Sequence, residues 1–356
     1  MEKNISASFL SCEGYSLTDR EKQLFAQTNP LGIVLFSRNI QNKQQLKELV
    51  KSIKETIGRD NVLIAVDQEG GRVRRLTEPE FLPYSAQIDI GSLPLNEAII
   101  AAKLHAKLIS LDLKEVGINV NFAPVLDIIH PNTTEALKSR CFSDNEKIVA
   151  ILGKTMIDEY VKNGIIPCIK HIPGHGLATS DPHLGLPVIK ASLEDLIKET
   201  IPFQTCSNAP FGMTAHILVE ALDKERPLTQ SSVGIKKLVR EIIGFNGLLI
   251  SDAIDMKALT GDVTAKATAA LNAGCDCVCY CMGNIDELTA LTNCCPNLSD
   301  EALERLDKSL QILHNHDESA EDSVLRFQYT SLLGKVAPYK EVYDATEVLH
   351  QLQKKD

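Results

Sequence analysis

Short, β-rich apolar runs alternate along the chain with longer stretches whose apolar positions recur every three to four residues. The runs are SASFLSCE (6–13), LGIVLF (31–36), NVLIAVD (61–67), GINVNFAPVLD (117–127), IIPCIKHI (165–172), APFGMTAHI (209–217), GLLISDAI (247–254) and CDCVCYC (275–281). Near-continuous apolar runs suit strands covered on both faces, as in a parallel sheet flanked by helices. Between them lie helical signatures. Thr18, Asp19, Arg20 and Glu21 form a capping-box pattern, and residues 43–58 carry a helical apolar period. Eight strand–helix alternations predict an α/β fold, a closed (β/α)8 TIM-type barrel occupying residues 1–356 as a single domain. Residues 77–94, with Pro79, Pro83 and Pro94, and residues 128–145 read as long loops over the barrel. From about residue 299 the chain is charged and helical. No linker composition or fixed-period repeat divides it.

Composition narrows the class. The 356 residues are 44% hydrophobic and 24% charged, ordinary values for a globular protein. No apolar run approaches the roughly 18 residues that a membrane span requires. Thirty-seven Lys and Arg against 47 Asp and Glu leave a net charge of −10, which argues against phosphate-backbone binding and hence against nucleic acid. The first residues, MEKNISASFLSCEGYSL, lack the basic start, apolar stretch and cleavage site of a secretory signal. Ten cysteines without such a signal read as reduced thiols. The expectation is a cytoplasmic, monomeric enzyme without membrane or nucleic-acid partners.

In such a barrel the chemistry gathers where strands end and the following loops begin. Acids, bases and cations stand at those ends: Asp67 with Glu69, Gly70, Gly71, Arg72 and Arg75; Asp127; Lys170 and His171; His216; Asp252. The Gly70-Gly71 pair and its arginines offer donors for a polyhydroxylated or anionic ligand. Asp252 reads either as a nucleophile or base carried on a rigid strand, or as a helix cap for a segment starting near Met256, a role open to Asp255 too. Asp67 has the same two readings. Asp181 and His183, two residues apart in a Gly- and Pro-rich loop, suit a dyad in which the carboxylate orients an imidazole that donates and accepts a proton. The alternative is a surface loop with incidental charges. Lys170 is also a candidate Schiff-base nucleophile of a barrel aldolase. Three histidines among residues 171–183 suggest zinc, but their spacing fits neither a helical His pair nor a finger. Cys275, Cys277, Cys279 and Cys281, at two-residue spacing, would project to one face of a strand over about 20 Å, too far apart for one ion. They are expected to be core, and no metal or cofactor is expected.

Together, Leu35-Phe36-Ser37-Arg38-Asn39, AVDQEGGRVRRL (65–76), NFAPVLDI (121–128), SRCFSD (139–144), KHIPGHG (170–176) with SDPHLGLP (180–187), GFNGLLISDAIDM (244–256) and AGCDCVCYC (273–281) resemble glycoside hydrolase family 3. Within it they resemble the single-domain bacterial β-N-acetylglucosaminidases of cell-wall recycling. The resemblance implies a retaining hydrolase that removes GlcNAc from GlcNAc-1,6-anhydroMurNAc peptides or related muropeptide-type fragments. Asp252 would be the nucleophile and His183 the acid/base, oriented by Asp181. Asp67, Arg75, Arg140, Lys170 and His171 match the family's sugar-binding positions. Two departures stand out: Pro182 where this branch more often has Ser, and Ala253 in place of an acidic residue. Competing readings are a phosphorylase using the same groups, a β-glucosidase, and a sugar-binding protein without turnover.

Overall fold

The computed structural model describes residues 4–178, 185–316 and 322–334. All eight apolar runs become parallel strands: β1 (Ser6–Leu10), β2 (Pro30–Leu35), β3 (Leu63–Val66), β4 (Val120–Asn121), β5 (Ile166–Ile172), β6 (Phe211–Thr214), β7 (Leu248–Ala253) and β8 (Cys277–Cys279). Each neighbours the next, and β8 returns to β1, so the sheet closes. Side chains on a strand alternate between its faces. Phe9, Leu63, Val120, Phe211, Ile250 and Cys277 accordingly fill the barrel. Leu10, Ile33, Ile64, Ile169 and Leu249 face the helices.

The helices begin and end where local chemistry directs. Thr18 caps Asp19–Thr28 through the reciprocal capping box with Glu21. Asn42 caps Lys43–Ile57, which buries Leu46, Leu49, Val50, Ile53 and Ile57 and stops at Gly58, whose φ of 77° is a left-handed conformation that favours glycine. No helix among the described residues is long and apolar enough to cross a membrane.

Several details differ from the sequence reading. The proposed loops contain short helices, Gln87–Gly91 and Glu135–Lys138. Val188–Ile189 and Leu218–Val219 pair in parallel outside the barrel; two residues carry too little pattern to announce a strand. No helix starts near Met256; the next one is Val263–Ala273, capped by Asp262. Cys277, Cys279 and Cys281 do line the barrel interior. Cys275 precedes the strand and packs among the helices.

Beyond residue 299 the chain is helical as expected. Asp300–Leu310, capped by Ser299, sets Ala302, Leu303 and Leu306 against the interior cluster near the start of β1. Leu298 donates its amide to Ile5 there. This helix therefore closes the barrel's N-terminal end. Leu306→Ala is expected to lower unfolding stability by about 2–5 kcal/mol, read by urea denaturation, with turnover of the folded enzyme unchanged. The last described helix, Asp322–Leu333, packs on Leu95–Glu115 through Leu325, Tyr329 and Leu333.

Candidate active site

The polar groups picked out by the sequence converge at the C-terminal strand ends. Asp67 and Glu69 leave β3 in a turn pinned from two sides. Gln68 exchanges hydrogen bonds with Asn121 of β4, and its side-chain carbonyl accepts the amides of Arg75 and Leu76 at 2.8 and 3.0 Å. From β5, Lys170 Nζ reaches Asp67 Oδ1 at 2.7 Å and Glu69 Oε1 at 2.6 Å. Arg140 forms a two-pronged pair with Glu69, both bonds 2.8 Å long. Arg75 Nη2 lies 3.6 Å from Asp67 Oδ2. Four of the five expected sugar-binding residues thus meet around Glu69, which the sequence places at the same strand end but without a binding role.

The fifth, His171, joins the same network. Its Nδ1 is 2.8 Å from Asp127 Oδ2, and Arg140 Nη2 is 3.3 Å from its Nε2. A guanidinium only donates, so the bonding assigns the ring proton to Nδ1, facing Asp127. The Lys170–His171 peptide is cis, as are the bonds before Pro124 and Pro173.

Burial governs the electrostatics. On its own it would raise the Glu69 carboxyl, but the charges and hydrogen bonds of Arg140 and Lys170 prevail and hold it far below the usual carboxylate range. Burial likewise works to lower Lys170, yet Asp67 and Glu69 outweigh it and keep the ammonium protonated. A lysine so held is a poor amine nucleophile, which removes the physical basis of the aldolase reading.

Asp252 sits within β7 and keeps an accessible edge at the rim. Burial pushes its carboxyl up, but His171, His216, the Ala253 amide and His175 together bring it down to about 2. Its Oδ1 accepts the Ala253 amide at 2.7 Å, and no helix starts there, so the capping reading fails. His216, two residues past the end of β6, lies 3.0 Å from Ala253 O through Nε2 and 2.9 Å from Thr229 Oγ1 through Nδ1, fixing the peptide that follows Ala253. Asp255 instead accepts the Cys281 amide, and burial raises its carboxyl to about 6.

Asp181, Pro182 and His183 lie outside the described residues. The chain entering them is described as far as Ala178. Its root is gripped closely: the His175 amide donates to Asp127 at 2.8 Å and Thr133 Oγ1 to Gly176 O at 3.1 Å. Glu199, bonded to His130 at 2.7 Å, lies beneath Gly174 and Gly176, where a Cβ would crowd its side chain. The Arg38–Asn39 motif is structural. Arg38 donates to the carbonyls of Cys12 and Cys281, and Asn39 to Cys12 and Gly14, tying the ends of β1, β2 and β8. Among the described residues, no group of three or more His, Cys, Asp or Glu side chains is arranged to hold a metal ion.

A parallel barrel with carboxylates and cations massed at the C-terminal ends of its strands has the layout in which barrel enzymes hold their substrates. The N-terminal domain of glycosyl hydrolase family 3 matches residues 7–315, and the chain belongs to that family. It is therefore a glycoside hydrolase. A β-hexosaminidase of Bordetella avium is 32% identical over 301 residues, covering 82% of each chain. One from Neisseria gonorrhoeae is 34% identical over 276 residues, covering 75% of each. Among solved structures, NagZ from Neisseria gonorrhoeae in complex with N-trifluoroacetyl-D-glucosamine is similar with a TM-score of 0.82 and 28% identity, over 93% of this chain and 98% of that one.

Proposed function

We propose that the chain is a retaining exo-β-N-acetylglucosaminidase that releases GlcNAc from peptidoglycan-derived fragments such as GlcNAc-1,6-anhydroMurNAc peptides. The observation that carries this is an ionised carboxylate, Asp252, on a rigid strand of the same rim that gathers Asp67, Arg75, Arg140, Lys170 and His171. The β-hexosaminidases that the chain resembles supply the sugar class. The carboxylate of Asp252 attacks the anomeric carbon as the bond to the leaving oxygen breaks. His183 gives that oxygen a proton, and a covalent glycosyl-enzyme results. His183 then takes a proton from water, whose oxygen displaces Asp252 and frees the sugar with its anomeric configuration retained. An imidazole thus replaces the carboxylic acid/base usual in glycosidases. Asp67 and Lys170 suit hydroxyls at the non-reducing end, and Arg140 the acetamido sugar. The cysteine content is that of a reducing cytoplasm, where such fragments would be recycled.

The test is nitrophenol release from p-nitrophenyl β-N-acetylglucosaminide beside the β-glucoside, each with and without phosphate. Phosphate-independent release from the GlcNAc glycoside, with little from the glucoside, is expected. Dependence on phosphate would make it a phosphorylase, and preference for the glucoside a β-glucosidase. No release from either would overturn the assignment of turnover.

A further inference from the structure

The helix Asp322–Leu333 lies beyond the stretch matching the family, residues 7–315, and carries no motif of its own. Two separate polar chains nonetheless run from it to the turn that holds Glu69. In the first, the buried Tyr329 Oη accepts the Ser85 amide at 2.9 Å and stands 3.0 Å from His105 Nδ1. His105 Nε2 stands 2.9 Å from the carbonyl oxygen of Glu69. A carbonyl only accepts, so Nε2 carries a proton. Burial lowers His105 to about 4, leaving the ring neutral and Nδ1 an acceptor. Tyr329 is then the donor, and every proton in the chain is placed.

In the second chain, Arg326 Nη2 donates to Asp112 Oδ1 at 2.7 Å and Tyr84 Oη to Asp112 Oδ2 at 2.6 Å. The Tyr84 carbonyl accepts the Gly71 amide at 2.8 Å. The rings of Tyr84, His105 and Tyr329 pack on one another with centroids 5.4 to 5.9 Å apart. The two chains end on either side of Gly70, whose φ of 103° and close approach to the His105 ring leave no room for a Cβ. Glu69 in turn holds Lys170 and Arg140, and Lys170 holds Asp67.

We infer that Tyr329 and Arg326 are positioning residues of the sugar subsite, setting through these two polar chains the place of Glu69 and through it that of Lys170, Arg140 and Asp67. This rests on the reading of those residues as sugar contacts. A purely structural network would affect stability and leave sugar affinity alone, whereas a positioning network moves affinity because small displacements of contact groups are costly.

The experiment compares two full-length variants. Tyr329→Phe keeps the ring and removes the hydroxyl; Leu325→Ala removes apolar packing from the same helix. Tyr329→Phe is expected to raise KM for p-nitrophenyl β-N-acetylglucosaminide, and the inhibition constant of GlcNAc, by roughly tenfold, equally for good and poor leaving groups. Leu325→Ala is expected to lower the melting temperature with KM unchanged. Arg326→Gln, which cuts the second chain, is expected to act in the same direction as Tyr329→Phe and gives the reading should that variant fail to fold. An unchanged KM in both polar variants, or KM rises that track lost stability in all three, would overturn the inference. If the wild type releases no GlcNAc, the functional reading fails on its own, and hydrogen exchange decides the inference. Faster exchange confined to residues 69–76 in Tyr329→Phe supports it, and unchanged protection there contradicts it.

Discussion

Asp252→Ala is expected to lower kcat on p-nitrophenyl β-N-acetylglucosaminide by on the order of 10⁴-fold or more, with GlcNAc still bound at close to wild-type affinity. A loss of that size corresponds to about 5.5 kcal/mol of transition-state stabilisation. The split between turnover and binding follows from the site. Lys170 pairs with Asp67 and Glu69, and Arg140 with Glu69, so these contacts do not depend on Asp252. On the proposed mechanism, removing Asp252 takes away the attacking atom and leaves the cradle. Because the histidines and the Ala253 amide hold the carboxyl at about 2, Asp252 is ionised across the working range, and loss of kcat/KM in acid well above that value must come from another group. Steady-state kinetics and GlcNAc inhibition on the same preparation read both halves. More than a few per cent of residual kcat, or loss of binding in step with turnover, would remove Asp252 as nucleophile.

Glu69→Gln is expected to cost about 3–5 kcal/mol of folding stability at neutral pH and to weaken sugar binding with it. The change is nearly isosteric, so its effect is electrostatic. Lys170 Nζ and the Arg140 fork lose the fully buried carboxylate that compensates both. Burying a charge and then removing its partner is costly because solvation was surrendered on folding. The pH dependence has a definite sign. The Glu69 carboxyl is depressed in the folded protein, so its stabilisation is present above the ordinary glutamate value, about 4.3, and is lost as pH falls below it. The stability gap between wild type and Glu69→Gln should therefore be widest near pH 7 and narrow toward pH 3. Urea unfolding at those two values checks it, and a gap independent of pH would contradict the ionic account.

Much of the barrel was legible because a strand buried on both faces leaves a run of apolar residues that needs no partner to be seen. All eight runs lie in the barrel, even where β4 keeps only Val120 and Asn121. Two-residue pairings outside it were not legible, since no period fits in two residues. The alternative reading of Asp252 as the cap of a helix near Met256 fails for a local reason: Asp252 and Asp255 accept hydrogen bonds from Ala253 and Cys281, and the cap falls to Asp262. Asp67, Arg75, Arg140, Lys170 and His171 were found as separate strand-end residues and motif matches, and the fold brings them together. Glu69 is visible at the same strand end, two residues after Asp67, but nothing in the sequence gives it a role. Its role comes from Arg140, 71 residues away, and from Lys170, and spacing within one motif does not report such distances. Tyr329 is less visible still, 224 residues from the His105 it bonds.

The central claim is that Asp252 carries the sugar covalently. The most direct measurement is to stall turnover with a mechanism-based fluorinated β-N-acetylglucosaminide carrying a good leaving group, then digest the enzyme and map the adduct by mass spectrometry. The account predicts one glycosyl adduct, on the peptide containing Ser251-Asp252-Ala253, accumulating as activity is lost and discharged when the enzyme reactivates in water. Inactivation with the label on a different residue, or continued turnover of the unmodified substrate with inversion at the anomeric carbon, would contradict it.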